Sequence, residues 1–170
     1  MIRVCFHGAE STGKTVLAGK MAGELRCPWV PEYGRTYAEQ HGIDFTVEDL
    51  LAIARGQDAA MRAACASEPQ LVILDTDPLM TAAWAQMLFD EIPAELFEYA
   101  KAEHYLLFEA DTPWQEDGTR MFGSDEARSR FAAVAEDMLL RVGVPFTRIS
   151  GAWDQREAQV RAAVARILDQ

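Results

Sequence analysis

The chain has 170 residues, 49% of them hydrophobic, with 27 acidic against 16 basic side chains and a formal net charge of −11. That length suits a single domain over residues 1–170 with a sizeable core, and the charge argues against non-specific binding to DNA or RNA. No apolar run approaches the roughly 18 residues that a membrane span needs, and Cys5, Cys27 and Cys65 have neither metal-site nor disulfide-framework spacing.

The chain begins Ile2-Arg3-Val4-Cys5-Phe6-His7, an apolar run suited to a buried strand. It lacks the basic-then-apolar pattern of a leader, so a cytoplasmic protein is expected. Next comes Gly8-Ala9-Glu10-Ser11-Thr12-Gly13-Lys14-Thr15, which fits the phosphate-loop pattern G-x-x-x-x-G-K-[ST]. Gly8 and Gly13 permit backbone angles closed to other residues. The amides from Gly8 through Glu10, Ser11, Thr12 and Gly13 can then form a nest for phosphate oxygens at a helix start. Lys14 is placed to reach the β- and γ-phosphates of ATP, and the Thr15 hydroxyl to bind Mg²⁺. A helix is predicted from Lys14 to about Glu24.

Pro28-Trp29-Val30-Pro31 reads as a short extended segment delivering Glu32-Tyr33-Gly34-Arg35 to its end. A short helix is expected over Arg35–His41. A longer one follows, with Thr46 as N-cap and Asp49 near the capping-box position, reaching about Ala66. Gln70-Leu71-Val72-Ile73-Leu74-Asp75 is the clearest strand, apolar on both faces like a central parallel strand. Pro78 suits the first turn of a helix to about Phe89. Pro93 opens a short helix to about Lys101, and His104–Glu109 is a further strand. A polar lid loop at about 112–124 leads to a helix capped by Ser124 that runs from about Asp125 to Val142. Pro145–Ser150 is the last strand and Trp153–Leu168 the last helix. Alternating strands and helices imply a three-layer α/β/α fold around a parallel sheet. Ligands then gather at the C-terminal edge of its strands.

Several residues carry two readings. Asp75 closes its strand either as a magnesium-binding carboxylate or as a turn residue. Asp77 either caps the helix at Pro78 or faces a phosphoryl acceptor. Glu32 and Arg35 either serve that acceptor, as proton acceptor and oxyanion partner, or form a surface ion pair. Arg120 follows the turn signal Asp117-Gly118 and either closes over a triphosphate or is solvated. Arg128 and Arg130 read as solvated. Trp84 and Gln86 are within reach of an aromatic substrate, although Trp84 reads first as helix-core packing. His7, His41 and His104 read as structural.

The phosphate loop, Pro31-Glu32-Tyr33-Gly34-Arg35, Gly56-Gln57, Asp75-Thr76-Asp77, Trp114-x-x-Asp117-Gly118-x-Arg120 and Pro145-Phe146 together resemble the ribosylnicotinamide kinase domain of NadR-type NAD-biosynthesis proteins. The resemblance implies a P-loop kinase with a five-stranded parallel sheet in the order 2-3-1-4-5. It implies transfer of the ATP γ-phosphoryl group to the ribose 5′-hydroxyl of nicotinamide riboside. It also implies ATP and Mg²⁺ at Gly13, Lys14, Thr15 and Asp75, the riboside near Glu32, Arg35 and Asp77, and Arg120 in the lid. Full-length relatives also carry adenylyltransferase and DNA-binding parts with no counterpart in this sequence, so only the kinase step is implied. Where some relatives have a tryptophan immediately before E-Y-G-R, this chain has Pro31. The same kinase chemistry on another nucleoside or a vitamin-like alcohol stays open, while two other readings fare worse. A GTPase switch usually needs Asn-Lys-x-Asp, and this sequence has no asparagine. A regulatory ATPase commonly puts Glu beside its strand-end Asp, where this chain has Thr76.

Overall fold

Residues 1–169 are described in a computed structural model. Strand β1 (Ile2–Gly8) runs through the middle of a parallel sheet, flanked by β3 (Leu71–Asp75) and β4 (His104–Phe108). Strands β2 (Trp29–Val30) and β5 (Phe146–Ile149) form the edges, giving the order β2-β3-β1-β4-β5. This is the sheet order that the sequence resemblance implies. Helices are α1 (Lys14–Leu25), α2 (Tyr33–His41), α3 (Val47–Cys65), α4 (Pro78–Phe89), α5 (Asp125–Val142) and α6 (Trp153–Leu168).

The pleat sends alternate strand residues to opposite faces, and both faces are apolar. Val4, Phe6, Ile73, Leu106 and Phe108 pack on Leu17 and Met21 of α1 and on Val160 and Val164 of α6. Cys5, Val72, Leu74 and Leu107 pack on Met61 of α3, Leu79 of α4 and Leu139 of α5. A third cluster joins α3, α4 and α5 beyond the strand ends, around Leu50, Met80 and Phe131. Among the described residues, no helix is long and apolar enough to cross a membrane.

Three helix starts are fixed by their own sequence. Thr46 and Asp49 form the expected capping box on α3, Asp77 caps α4 through Leu79 N–H, and Ser124 caps α5 through Ala127 N–H. Two expectations need correction. Helix α2 begins at Tyr33, ahead of Arg35, because the Gln57 side chain on α3 accepts the Tyr33 N–H at 2.7 Å. The helix expected from Pro93 to Lys101 is a single 3-10 turn over Ala94–Phe97. There the Lys101 ammonium donates to the carbonyls of Phe97 and Tyr99, which ends the turn.

Candidate active site

The phosphate loop links β1 to α1, and its shape follows from three backbone positions. Gly8 has φ +134, and a Cβ there would lie 2.5 Å from the Phe108 carbonyl oxygen, so β4 can sit this close only to glycine. Gly13 has φ +87, and Ser11 adopts the left-handed region at φ 57. Gly13 gives α1 no side-chain cap, and the first turn carries no acidic residue. The first N–H groups of α1 are thus left for an outside anion, unlike those of α3, α4 and α5. The Lys14 ammonium is buried and donates to the Ala9 carbonyl at 2.6 Å. Burial lowers its pKa, and the charges of Glu32, Asp75 and Glu10 oppose that shift.

The loop opens into a cavity of about 360 Å³, within the range of small-molecule sites. Lys14 and Thr15 line one end. Glu32, Gly34 and Arg35 from the start of α2 line a side, with Thr119 and Arg120 of the lid above. The far end is apolar and aromatic, built by Phe45, Leu50, Ile53, Met80, Trp84 and Phe131. The Trp84 ring packs edge-on to Phe45 and Phe131, with Phe122 of the lid 5.3 Å from it. Gln57 also faces this chamber but is committed. Its carbonyl takes Tyr33 N–H and its amide donates to the Thr76 carbonyl at 3.3 Å.

The carboxylates differ by environment. Asp75 is fully buried at the end of β3, and neither oxygen has a hydrogen-bond partner. Burial raises its pKa, opposed by the nearby Thr15 hydroxyl and the charges of Lys14 and Arg35. A buried carboxylate with free oxygens beside a hydroxyl suits a hard cation. Glu32 is the N-cap residue of α2, yet its side chain caps nothing. Burial, then the charge of Asp75, pushes its carboxyl up to about 7. Thr76, just after Asp75, is held at φ 72, a strained value for a β-branched residue and a feature that clusters at functional sites.

The lid is docked on the phosphate loop. Glu10 receives the N–H groups of Met121 and Phe122 at 3.1–3.2 Å. Ser11 accepts from Gln115 N–H at 2.9 Å, and its carbonyl takes the Thr112 hydroxyl at 2.7 Å.

Glu32, Arg35 and Arg120 therefore share one cavity with Lys14 and Thr15. Asp77 does not join them. One of its oxygens caps Leu79 N–H and the other accepts the buried Tyr105 hydroxyl at 2.5 Å. Its carboxyl, pushed up to about 6 by burial, is held behind the cavity wall and serves the fold. Arg128 is also not solvated. It is buried, donates to the Thr112 carbonyl at 2.6 Å and lies over the Trp114 ring at the lid hinge. Gln86 bonds Asp90 rather than the chamber. His7 is buried against the Ala135 carbonyl, and burial lowers it to about 4, a neutral packing residue. Sequence reasoning missed Phe45 and Phe131 as chamber walls because Phe45 reads only as the approach to a helix start and Phe131 only as helix core. It read Asp117 as a turn signal and a member of the resemblance motif, with no part in joining Arg35 to Arg120.

Residues 3–156 match the protein family described as AAA domain. The trifunctional NAD biosynthesis/regulator protein NadR of Escherichia coli strain K12 is 29% identical over 154 residues, 86% of this chain but 37% of that protein. The chain thus spans little more than a third of this relative. A crystal structure of NadR in complex with NR superposes with a TM-score of 0.79 at 23% identity, over 99% of this chain and 51% of that one. NadR in complex with NAD and AMP-PNP gives 0.74 at 21% identity, over 99% and 50%. Thymidylate kinase from Ehrlichia chaffeensis gives 0.70 at 15% identity, over 96% and 98%. At these identities the superpositions establish the fold, that of P-loop nucleoside and nucleotide kinases. The chain belongs to the AAA domain family of phosphate-loop proteins and is a homologue of NadR.

Proposed function

We propose that this protein transfers the γ-phosphoryl group of ATP to the ribose 5′-hydroxyl of nicotinamide riboside, giving nicotinamide mononucleotide. One observation carries the reading: an uncapped phosphate loop and an aromatic chamber open into the same cavity, with Glu32, Arg35 and Arg120 at the junction. The NadR complexes with NR and with AMP-PNP support a riboside and an ATP-like nucleotide as the two ligands.

The chamber's chemistry also favours this acceptor. Its aromatic walls suit a flat ring, and a pyridinium adds attraction to the Trp84 face. Gln57, the amide best placed to read a nucleobase edge, already holds one backbone partner on its oxygen and one on its nitrogen, which fix its orientation. A ring recognised by stacking rather than by its hydrogen-bonding edge fits better.

In the proposed mechanism the triphosphate takes the free N–H groups of α1, and Lys14 leaves the Ala9 carbonyl for the β- and γ-oxygens. Thr15 and Asp75 would hold Mg²⁺, which when bound neutralises charge on those phosphates. Glu32 accepts the proton of the 5′-hydroxyl as it attacks in line. Arg35 and Arg120 stabilise the charge spreading over the transferring group. Most of the acceleration comes from positioning and a preorganised field.

The test is a screen of ATP consumption against nicotinamide riboside, common nucleosides and thiamine, with products identified by mass. Nicotinamide riboside is expected to be turned over with the highest kcat/KM. Lys14→Ala is expected to lower kcat by about 10²–10³-fold, on the scale of removing one key electrostatic donor. Preferred turnover of a common nucleoside would replace the proposed acceptor. Near-normal turnover by Lys14→Ala would remove the mechanism.

A further inference from the structure

Arg35 and Arg120 reach the cavity from different parts of the chain, one from α2 and the other from the lid. Two guanidinium groups brought to one spot repel each other, and the lid has no regular secondary structure to hold its own in place. The Asp117 carboxylate joins them. Its Oδ1 receives the N–H and hydroxyl of Thr119 at 3.1 and 2.9 Å, which fixes the side chain within the lid. Its Oδ2 receives an N–H from Arg35 Nη1 at 3.0 Å and lies 3.2 Å from Nε of Arg120. Both cations therefore spend one edge on the same oxygen. Arg35 Nε remains buried with no partner, a donor left for an incoming oxygen. Arg120 is tied on its other side to the Gln115 carbonyl.

We propose that Asp117 is a positioning residue of the phosphoryl-transfer site: it docks the lid to α2 so that Arg35 and Arg120 converge on the transferring group together. The inference rests on the phosphotransferase reading above. Charge balance supports the assignment. With Asp117 between them the two cations carry one net positive charge, which eases convergence before the triphosphate arrives. Once it is bound, the donors not already spent, Arg35 Nε and Arg120 Nη2, are left for its oxygens, where charge-assisted hydrogen bonds are strongest. Asp117 is only 24% exposed and Arg35 36%. The Arg35 end is open enough to water for the pair to add only modestly to folding stability, so a kinetic effect far larger than the melting effect separates positioning from structure.

The experiment is a double-mutant cycle of Asp117→Asn and Arg35→Lys, read by kcat, KM and thermal melting, with limited trypsin cleavage after Arg120 followed by mass. Each single change is expected to lower kcat about tenfold or more, leave KM for ATP within about threefold and shift melting only slightly; the double change is expected to be no worse than the worse single one. Multiplying effects, or an unchanged kcat in Asp117→Asn, would overturn the proposal. If the parent chain turns over no acceptor, the phosphotransferase reading fails on its own. Trypsin then decides the docking: Asp117→Asn must be cut faster after Arg120 than the parent, and equal rates sink it.

Discussion

Glu32 is a carboxylate that the fold has not used. It stands at the N-cap of α2 without capping, next to the fully buried Asp75 and facing Lys14 across the cavity. An unfolded chain releases this proton near pH 4.5, whereas the folded chain holds it to about pH 7. The ligand-free protein therefore loses stability from this group as pH rises through that window. Glu32→Gln removes the loss, so the variant's melting temperature should gain on the parent's between pH 5 and pH 8. As a base Glu32 must be ionised, so kcat/KM should rise with pH through about 7 in the parent. The same limb should be absent in Glu32→Gln. A parent and variant with superimposable pH–rate profiles would take the base role away from Glu32.

Elements divide into those whose ends are written locally and those finished by a neighbour. The α3 capping box is local, made by Thr46 and Asp49 alone. Thr46→Ala should cost about 1 kcal/mol of unfolding free energy in a urea melt and leave kinetics unchanged. The β1–α1 junction behaves differently, because Gly8 is pressed against β4. Gly8→Ala drives a methyl into the Phe108 carbonyl at a φ that disfavours side chains. It should cost about 2 kcal/mol or more and weaken nucleotide binding as well, since the clash falls on the first residue of the phosphate loop. A Gly8→Ala variant that binds an ATP analogue normally would contradict this coupling.

Across the whole molecule, stability and function pull in opposite directions at Asp75. The sheet buries this carboxylate completely with no partner for either oxygen. Burial makes its charge costly, and Thr15, Lys14 and Arg35 offset only part of that, since its pKa is still raised. Asp75→Asn should therefore raise the unfolding free energy of the ligand-free protein by about 1–3 kcal/mol, measured in denaturant, while, under the proposed mechanism, reducing turnover about 100-fold or more through loss of charge at the proposed metal position. An Asn variant that is less stable than the parent would show that the native charge is already compensated. Net charge is likewise decided locally. The chain carries −11, yet Lys14, Arg35 and Arg120 stand against Glu10 and Glu32 on the cavity wall, so an acidic protein still presents cations to a triphosphate.

The sequence by itself determined the alternation of strand and helix, the caps at Thr46 and Ser124 and the phosphate loop. Each depends on residues a few positions apart: β3 on an unbroken apolar run, α4 on Pro78 in its first turn, the loop on Gly8, Gly13 and Lys14. Glu32, Arg35 and Arg120 were also legible as candidates, because a strand-end position and a glycine turn mark them locally. Only the tertiary structure decided which candidates meet. Asp77 and Arg128 turned out to hold the fold, the first through Tyr105 and the second through Thr112 and Trp114. Trp84 and Phe131, readable as helix packing, and Phe45, just ahead of the α3 N-cap, line one chamber instead. Whether a buried side chain ends on protein or on a cavity depends on what stands opposite it. That neighbour comes from tens of residues away, at a distance local periodicity does not encode.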